Sequence, residues 1–327
     1  MKNKFLAILL STAFIGSVCA FSSCNDGGQV RVYAPDGAPA LALSKLLSED
    51  RAEDGIEYTI TSSDNIKPFV TGKTADVCIL PVNLASILLG DGSTYQMVGL
   101  ATHGNLYLLS AENKQYTRDN LDELKGKKIG VVNLANVPGL TLRATLSDLQ
   151  VAYSLSEQTA DSVYLYGATP AEAKPTGNAD LYLLPEPKVS EKLNEFENEL
   201  FLAGDLQTLY GGESGYPQAA VVAKKEFVQN NPAAFTKIIE GLSQGESYLS
   251  SASINEICDA VAVHREEGLS ANFTKETLTR EGIARSNVRF EKSSLCHEKV
   301  DAFLQKLAQI DGTKAQSVGE NFYYFED

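Results

Sequence analysis

Tryptophan is absent from this 327-residue chain, methionine occurs twice and histidine three times. The histidines are isolated in the sequence, so no metal-ligand spacing is legible. Neither is a nucleophile–base pair or a phosphate-cradling glycine fingerprint. No catalytic residue, metal or cofactor is therefore expected. Basic residues are in deficit as well: 28 Lys and Arg face 42 Asp and Glu, a formal charge of -14. Nucleic-acid partners need basic faces, so a nucleic acid is not an expected ligand. Long apolar runs are lacking too. The apolar stretch at residues 5–16 is broken by Ser11 and Thr12 and falls short of the roughly 20 residues that span a bilayer.

Cysteine is sparse, and its placement is informative. Cys19 and Cys24 lie near the N-terminus, leaving Cys78, Cys258 and Cys296. An odd number cannot all pair internally. Cys78 sits in an apolar run and reads as a small core residue, whereas Cys258 and Cys296 could form one disulfide in an oxidising compartment.

The chain opens with a basic patch, Met1-Lys2-Asn3-Lys4, then an apolar core and small residues, the layout of a secretory signal. Ser22-Ser23 precede Cys24 and the polar run Asn25-Asp26-Gly27-Gly28 follows it. This arrangement resembles a bacterial lipobox, with Phe21 where an aliphatic residue is usual. Residues 1–23 are accordingly expected to be a lipoprotein signal peptide and Cys24 the lipid-attachment site. Acyl chains there would bind a membrane at ~0.8 kcal/mol per buried methylene. The alternative is a plain secretory signal with an incidental cysteine. Either way the chain is expected outside the cytoplasm, on the periplasmic or extracellular side of a bacterial membrane.

The remaining ~300 residues exceed what one compact core normally holds, so two lobes are expected. From residue 30, short apolar strands alternate with amphipathic helices: strands at 30–33, 58–61 and 77–80, helices at 38–47, 65–71 and 82–89. That rhythm predicts an α/β chain with mostly parallel sheets. It breaks at 97–102 and 106–110, two strands with no helix between them, as at a crossing to another lobe. A second rhythm begins near 121, and beyond Lys224 the pattern reads as almost wholly helical.

Four segments, in order, carry a family resemblance: Ala34-Pro35-Asp36-Gly37-Ala38-Pro39, Ala75-Asp76-Val77-Cys78-Ile79-Leu80-Pro81-Val82-Asn83, Leu124-Lys125-Gly126-Lys127-Lys128-Ile129-Gly130-Val131 with Pro138-Gly139 beyond it, and Ala179-Asp180-Leu181-Tyr182-Leu183-Leu184-Pro185-Glu186-Pro187. They resemble the solute-binding proteins of ABC importers of the nitrate, sulfonate, taurine and thiamine-precursor type, over most of the chain from Val30 onward. The resemblance implies a type 2 periplasmic binding protein fold, with two crossover strands and a helical C-terminal part packing on lobe 1. It places lobe 1 at 24–108 plus 218–327 and lobe 2 at 109–217, with crossings near 103–109 and 216–221. It further implies a monomer that hands a small molecule to an ABC permease.

Open parallel sheets bind ligands outside the carboxyl ends of their strands, which selects particular loops. Asp36, Gly37 and Ala38 follow the first strand, where Asp36 could equally be a helix N-cap. Ser62, Ser63 and Asn65 follow the second, and Pro81 and Asn83 the third. Asn136, Pro138 and Gly139 lead into a helix whose first N–H groups suit an anion or a polar ligand edge, or Asn136 simply caps it. Glu186 stands between two prolines, either facing a cationic ligand or solvated. His103, Asn105, Tyr216 and Gln218 fall at the inferred crossings, where a buried, satisfied His103 competes with a ligand contact. Tyr107 and Tyr210 read as core.

The best of these loops hold no Arg or Lys, and Asp36 and Glu186 would repel an anion. A neutral or amine-bearing ligand, such as a pyrimidine-like thiamine precursor, is therefore expected over an oxyanion. Two other functions remain open. Enzymes on the same fold include menaquinone-pathway dehydratases, which are cytoplasmic and so fit the export signal poorly. Thiamine-precursor synthases share the fold but rely on reactive Lys and His groups. An exported sensor or scavenger without a transporter is the third reading.

Overall fold

The computed structural model describes residues 29–211 and 215–326. The segment carrying the expected signal and Cys24 lies outside the described residues. The first unit runs β1 (Val30–Pro35), α1 (Ala38–Ser48), β2 (Ile56–Thr61), α2 (Ile66–Thr71), β3 (Val77–Pro81), α3 (Val82–Leu88) and β4 (Tyr95–Thr102). Helix α1 begins with Pro39 in its first turn, where the missing N–H costs no helical hydrogen bond. It buries eight of its 11 residues, so tertiary packing rather than surface polarity holds it.

The second unit runs β5 (Leu106–Ser110), β6 (Lys128–Val132), α4 (Val137–Asp148), β7 (Tyr153–Ser154), β8 (Val163–Ala168), β9 (Leu181–Pro185), α5 (Lys188–Glu195), β10 (Phe201–Asp205) and α6 (Leu206–Tyr210). The chain then returns through β11 (Ala219–Lys224), α7 (Lys225–Asn230), α8 (Pro232–Ser251), α9 (Ile254–Val263), α10 (Arg280–Arg285), β12 (Val288–Lys292) and α11 (Ser293–Ile310).

Two six-stranded sheets result, ordered β12-β4-β11-β3-β1-β2 and β10-β5-β9-β6-β8-β7. The second is mostly parallel, as expected, whereas antiparallel pairings outnumber parallel ones in the first. Strands β1, β2 and β3 are parallel, but β11 lies antiparallel between β3 and β4, and β12 antiparallel beside β4. In the second sheet β6, β7, β8 and β9 run parallel, and β5 is antiparallel to both β9 and β10. The direct passage from β4 to β5, without a helix, is what reverses direction.

Two readings of the C-terminal part change. The stretch expected to be almost wholly helical is non-helical from 265 to 279, and α10 starts only at Arg280, where the Thr279 side chain caps it by accepting from Gly282 N at 2.9 Å. Between α10 and α11 the chain forms β12 on the outer edge of β4 rather than more helix.

Side chains alternate across β3: Cys78 and Leu80 enter one apolar cluster, Val77 and Ile79 another. The second cluster lies beneath α1, α8 and α9. The first is continuous from α3 and the inner face of the first sheet, through α11, to the second sheet and α4. The C-terminal helix thus packs on both lobes. At about 1.5–3 kcal/mol for each fully buried Leu or Phe side chain, this shared core is a large apolar joint. Cys258 and Cys296 belong to different clusters on opposite faces of the first sheet, and both are free thiols, as is Cys78. The pairing entertained from sequence is therefore not formed.

Candidate binding cleft

The loops at the carboxyl ends of the parallel strands present three kinds of group. Carboxylates come first. Asp36 is buried, and its oxygens accept from Arg265 Nε at 3.1 Å, Arg265 Nη2 at 3.3 Å, Asn272 N at 2.8 Å and Gly37 N at 3.0 Å. Asn272 Nδ2 also donates to the Asp36 carbonyl at 3.0 Å. The N-cap of α1 is Gly37, at φ 110, so Asp36 does not cap the helix but anchors the segment 265–272 over it. Gly37 and Ala38 are themselves buried beneath that segment.

Glu186 is equally enclosed, its side chain 0% exposed. Its carboxylate accepts from Arg285 Nε at 2.6 Å, Ser190 N at 3.0 Å and Ser190 Oγ at 2.9 Å. Burial raises its pKa above the usual carboxylate value, while Arg285 and Ser190 oppose that shift. The peptide bond from Glu186 to Pro187 is cis.

Amides and hydroxyls come next. Ser62 is half-buried and Ser63 and Asn65 are exposed, with Ser62 Oγ accepting from Asn65 N at 3.2 Å. Pro81 is half-buried at the start of α3, and Asn83 is buried with Nδ2 donating to Lys314 O at 2.8 Å. Among the described residues, Asn83 Oδ1 has no partner. Opposite, Asn136 is exposed at the N-cap position of α4 without a side-chain capping bond. Pro138 is half-buried in the first turn. Gly139 is buried, and a Cβ there would stand 1.9 Å from Leu134 O, so only glycine lets this loop fold onto the helix.

The crossings hold the third group. His103 is 0% exposed, with Nε2 3.2 Å from Arg289 O and Nδ1 3.5 Å from Lys299 Nζ. Burial, with the Arg289 and Lys299 charges, pushes its pKa down to about 3, so the ring is neutral at ordinary pH. Tyr216 is 1% exposed, stacked on Phe303 with centroids 5.6 Å apart, and its hydroxyl has no partner among the described residues. Desolvation raises its pKa well above 10.0. Tyr107 is buried in a smaller cluster of the second sheet, and Tyr210 is half-buried against the shared core. His103 and Tyr216 are thus interior parts of the joint, whereas Ser62, Ser63, Asn65 and Asn136 are the reachable members of the predicted set.

Arginine was missed at this site. Arg265 meets Asp36 across 229 residues and Arg285 meets Glu186 across 99, separations at which nothing in a single sequence announces a pair. The two carboxylates that argued against an anion are thereby neutralised. No group of three or more His, Cys, Asp and Glu side chains among the described residues could hold a metal ion. A depression lined by Val98 of β4, Phe235 and Ile239 of α8 and Tyr324 includes none of these loop residues.

No protein-family model and no curated protein matches the sequence. Solved structures do match the fold. An ABC transporter protein from Parabacteroides distasonis is 18% identical with a TM-score of 0.70, covering 92% of this chain and 100% of its own. The periplasmic aliphatic sulphonate binding protein of Escherichia coli is 16% identical, TM-score 0.63, covering 92% and 95%. A ligand-binding component of an ABC-type import system from Staphylococcus aureus, solved with zinc bound, is 11% identical, TM-score 0.58, covering 90% and 96%. The chain has the two-lobed α/β fold of these structures.

Proposed function

We propose that this chain is an extracytoplasmic solute-binding lipoprotein that captures a small molecule between its lobes for an ABC importer, tethered through lipid on Cys24. The observation that carries the reading is the fold: two six-stranded sheets joined by two crossings, with strand-end loops of hydroxyls and amides in each. Such a scaffold suits binding, and no nucleophile–base pair is assembled on it in the described residues. Enzymatic and transporter-free readings gain no supporting contact.

The ligand we infer is small, polar and neutral. The accessible loop groups are Ser62, Ser63, Asn65 and Asn136, which donate and accept without net charge. The amine-bearing class drawn from sequence relied on Asp36 and Glu186 being free, and both are held by arginines. Thermal-shift screening against neutral pyrimidines, alkylamines and alkanesulfonates tests the choice. A true ligand at 100 times its dissociation constant stabilises by about 2.7 kcal/mol. Selective stabilisation by a sulfonate would overturn the neutral assignment, and silence across broad small-molecule panels would count against binding itself. Membrane fractionation of Cys24→Ser tests the anchor: a variant as membrane-bound as the parent removes it from the reading.

A further inference from the structure

The two lobes meet on both flanks of the crossings, and the flanks differ in chemistry. On one, α11 of the first lobe packs on α4 and α6 of the second, with Phe303 against Tyr210 and Tyr216 inside the shared apolar core. Lys306–Asp148 at 2.5 Å and Arg143 Nη2 donating to Ile310 O at 3.1 Å border that contact. On the other flank, α10 of the first lobe meets Glu186 in the β9–α5 loop and Ser190 in α5 of the second through polar groups. Arg285 reaches Glu186 and Ser190 Oγ at 2.6 and 2.8 Å. Tyr107 Oη donates to Arg285 O at 3.1 Å.

We propose that Arg285 and Glu186 form a latch. The α11–α4 contact is the pivot, and the α10–α5 contact is the side on which the lobes part. Separating the pivot would expose apolar core to water, whereas separating the latch exchanges polar contacts for water. The latch is also built to open. Glu186 keeps two hydrogen bonds from Ser190, so its carboxylate stays satisfied within the second lobe when Arg285 leaves. Arg285 is 26% exposed and has solvent to move into. The base of the arm stays fixed, because Asn287 Nδ2 donates to His103 O at 2.7 Å and His103 N donates to Asn287 O at 3.1 Å. Helix α10 also lies close on α5: a Cβ added at Gly282 would stand 2.6 Å from Ser190 Oγ. The inference concerns lobe movement and stands whatever the ligand is.

Double electron–electron resonance tests it in the absence of ligand. The full chain carries Cys19→Ser and Cys24→Ser, and Cys78, Cys258 and Cys296 are buried, so spin labels attach at introduced cysteines. One label pair, at the exposed positions Ala284 and Asn194, spans the latch; the other, at the exposed Gln305 and Ser147, spans the pivot. In Arg285→Ala and in the near-isosteric Glu186→Gln, the latch distance is expected to lengthen and broaden while the pivot distance keeps the parent distribution. Gly282→Ala, which leaves both charges in place, is expected to lengthen the latch distance as well. An unchanged latch distance in folded Glu186→Gln and Gly282→Ala overturns the proposal, and so does a parallel shift of both label pairs. If Arg285→Ala fails to fold, those two variants decide alone.

Discussion

Gln218 and Asn105 grip each other twice across the two crossings: Gln218 Oε1 accepts from the Asn105 backbone N–H at 3.0 Å, and Gln218 Nε2 donates to Asn105 Oδ1 at 2.5 Å. Asn105 Nδ2 in turn donates to Glu186 O at 3.0 Å, and Leu106 N donates to Gln207 Oε1 at 2.9 Å. Side-chain amides add to the backbone bonds Gln218 N to Thr102 O and Glu186 N to Asn105 O where the chain changes sheets, satisfying backbone groups that would otherwise be buried unpaired.

Asn105→Ala should therefore destabilise strongly. It strands Gln218 Nε2 and the Glu186 carbonyl together, at about 1–3 kcal/mol for each unsatisfied buried group. Urea unfolding measures the loss; a midpoint within error of the parent would show that the crossings do not depend on this clamp.

Asp36→Asn should lower stability more than it lowers ligand affinity. Arg265, 12% exposed, would keep its charge without its partner, and breaking a buried pair costs about 3–5 kcal/mol. Parallel melting and binding measurements separate the roles. A large affinity loss with an unchanged melting temperature would make Asp36 a ligand group instead.

Stability should fall as pH drops from about 6.5 to about 3 through His103. The unfolded chain takes up a proton near the ordinary value of 6.5, while the folded chain resists until about 3. The unfolded state therefore binds more protons across that window, and stability rises with pH at up to ~1.4 kcal/mol per unit. Glu186, raised by burial, acts in the opposite sense toward the acidic end, so the diagnostic is a comparison with His103→Gln. Urea midpoints at pH 7, 6, 5 and 4 should decline less steeply in that variant, and equal slopes would refute the assignment.

Tyr216→Phe should be neutral or stabilising by about 1 kcal/mol, because the hydroxyl it removes is buried without a partner. The ring contacts with Phe303 and Tyr210 survive. Calorimetry of the pair decides, and a loss of more than about 1 kcal/mol would mean the hydroxyl is bonded in solution.

The sequence was readable where physics is local. Strand–helix alternation from Val30 to Leu89, the missing helix between β4 and β5, and the glycine-bearing and proline-bearing loops all declare themselves within a few residues. β12 did not, because its short Val288-Arg289-Phe290-Glu291 run becomes a strand only by docking on the edge of β4. The site divided in the same way. Ser62, Ser63 and Asn136 were legible as loop groups, while the arginines that occupy Asp36 and Glu186 arrive from the far end of the chain.

Strand order has a last consequence, for the timing of assembly. Residues 106–205 supply every strand of the second sheet without interruption, whereas β3 and β4 of the first cannot be joined until β11 slides between them. A chain made from its N-terminus can finish its second sheet while the first still waits, its edges unpaired, for a strand more than a hundred residues downstream. Truncations ending before Ala219 should then leave a second lobe with all its strands paired, uncovered only where α11 would pack, attached to an open, association-prone first one.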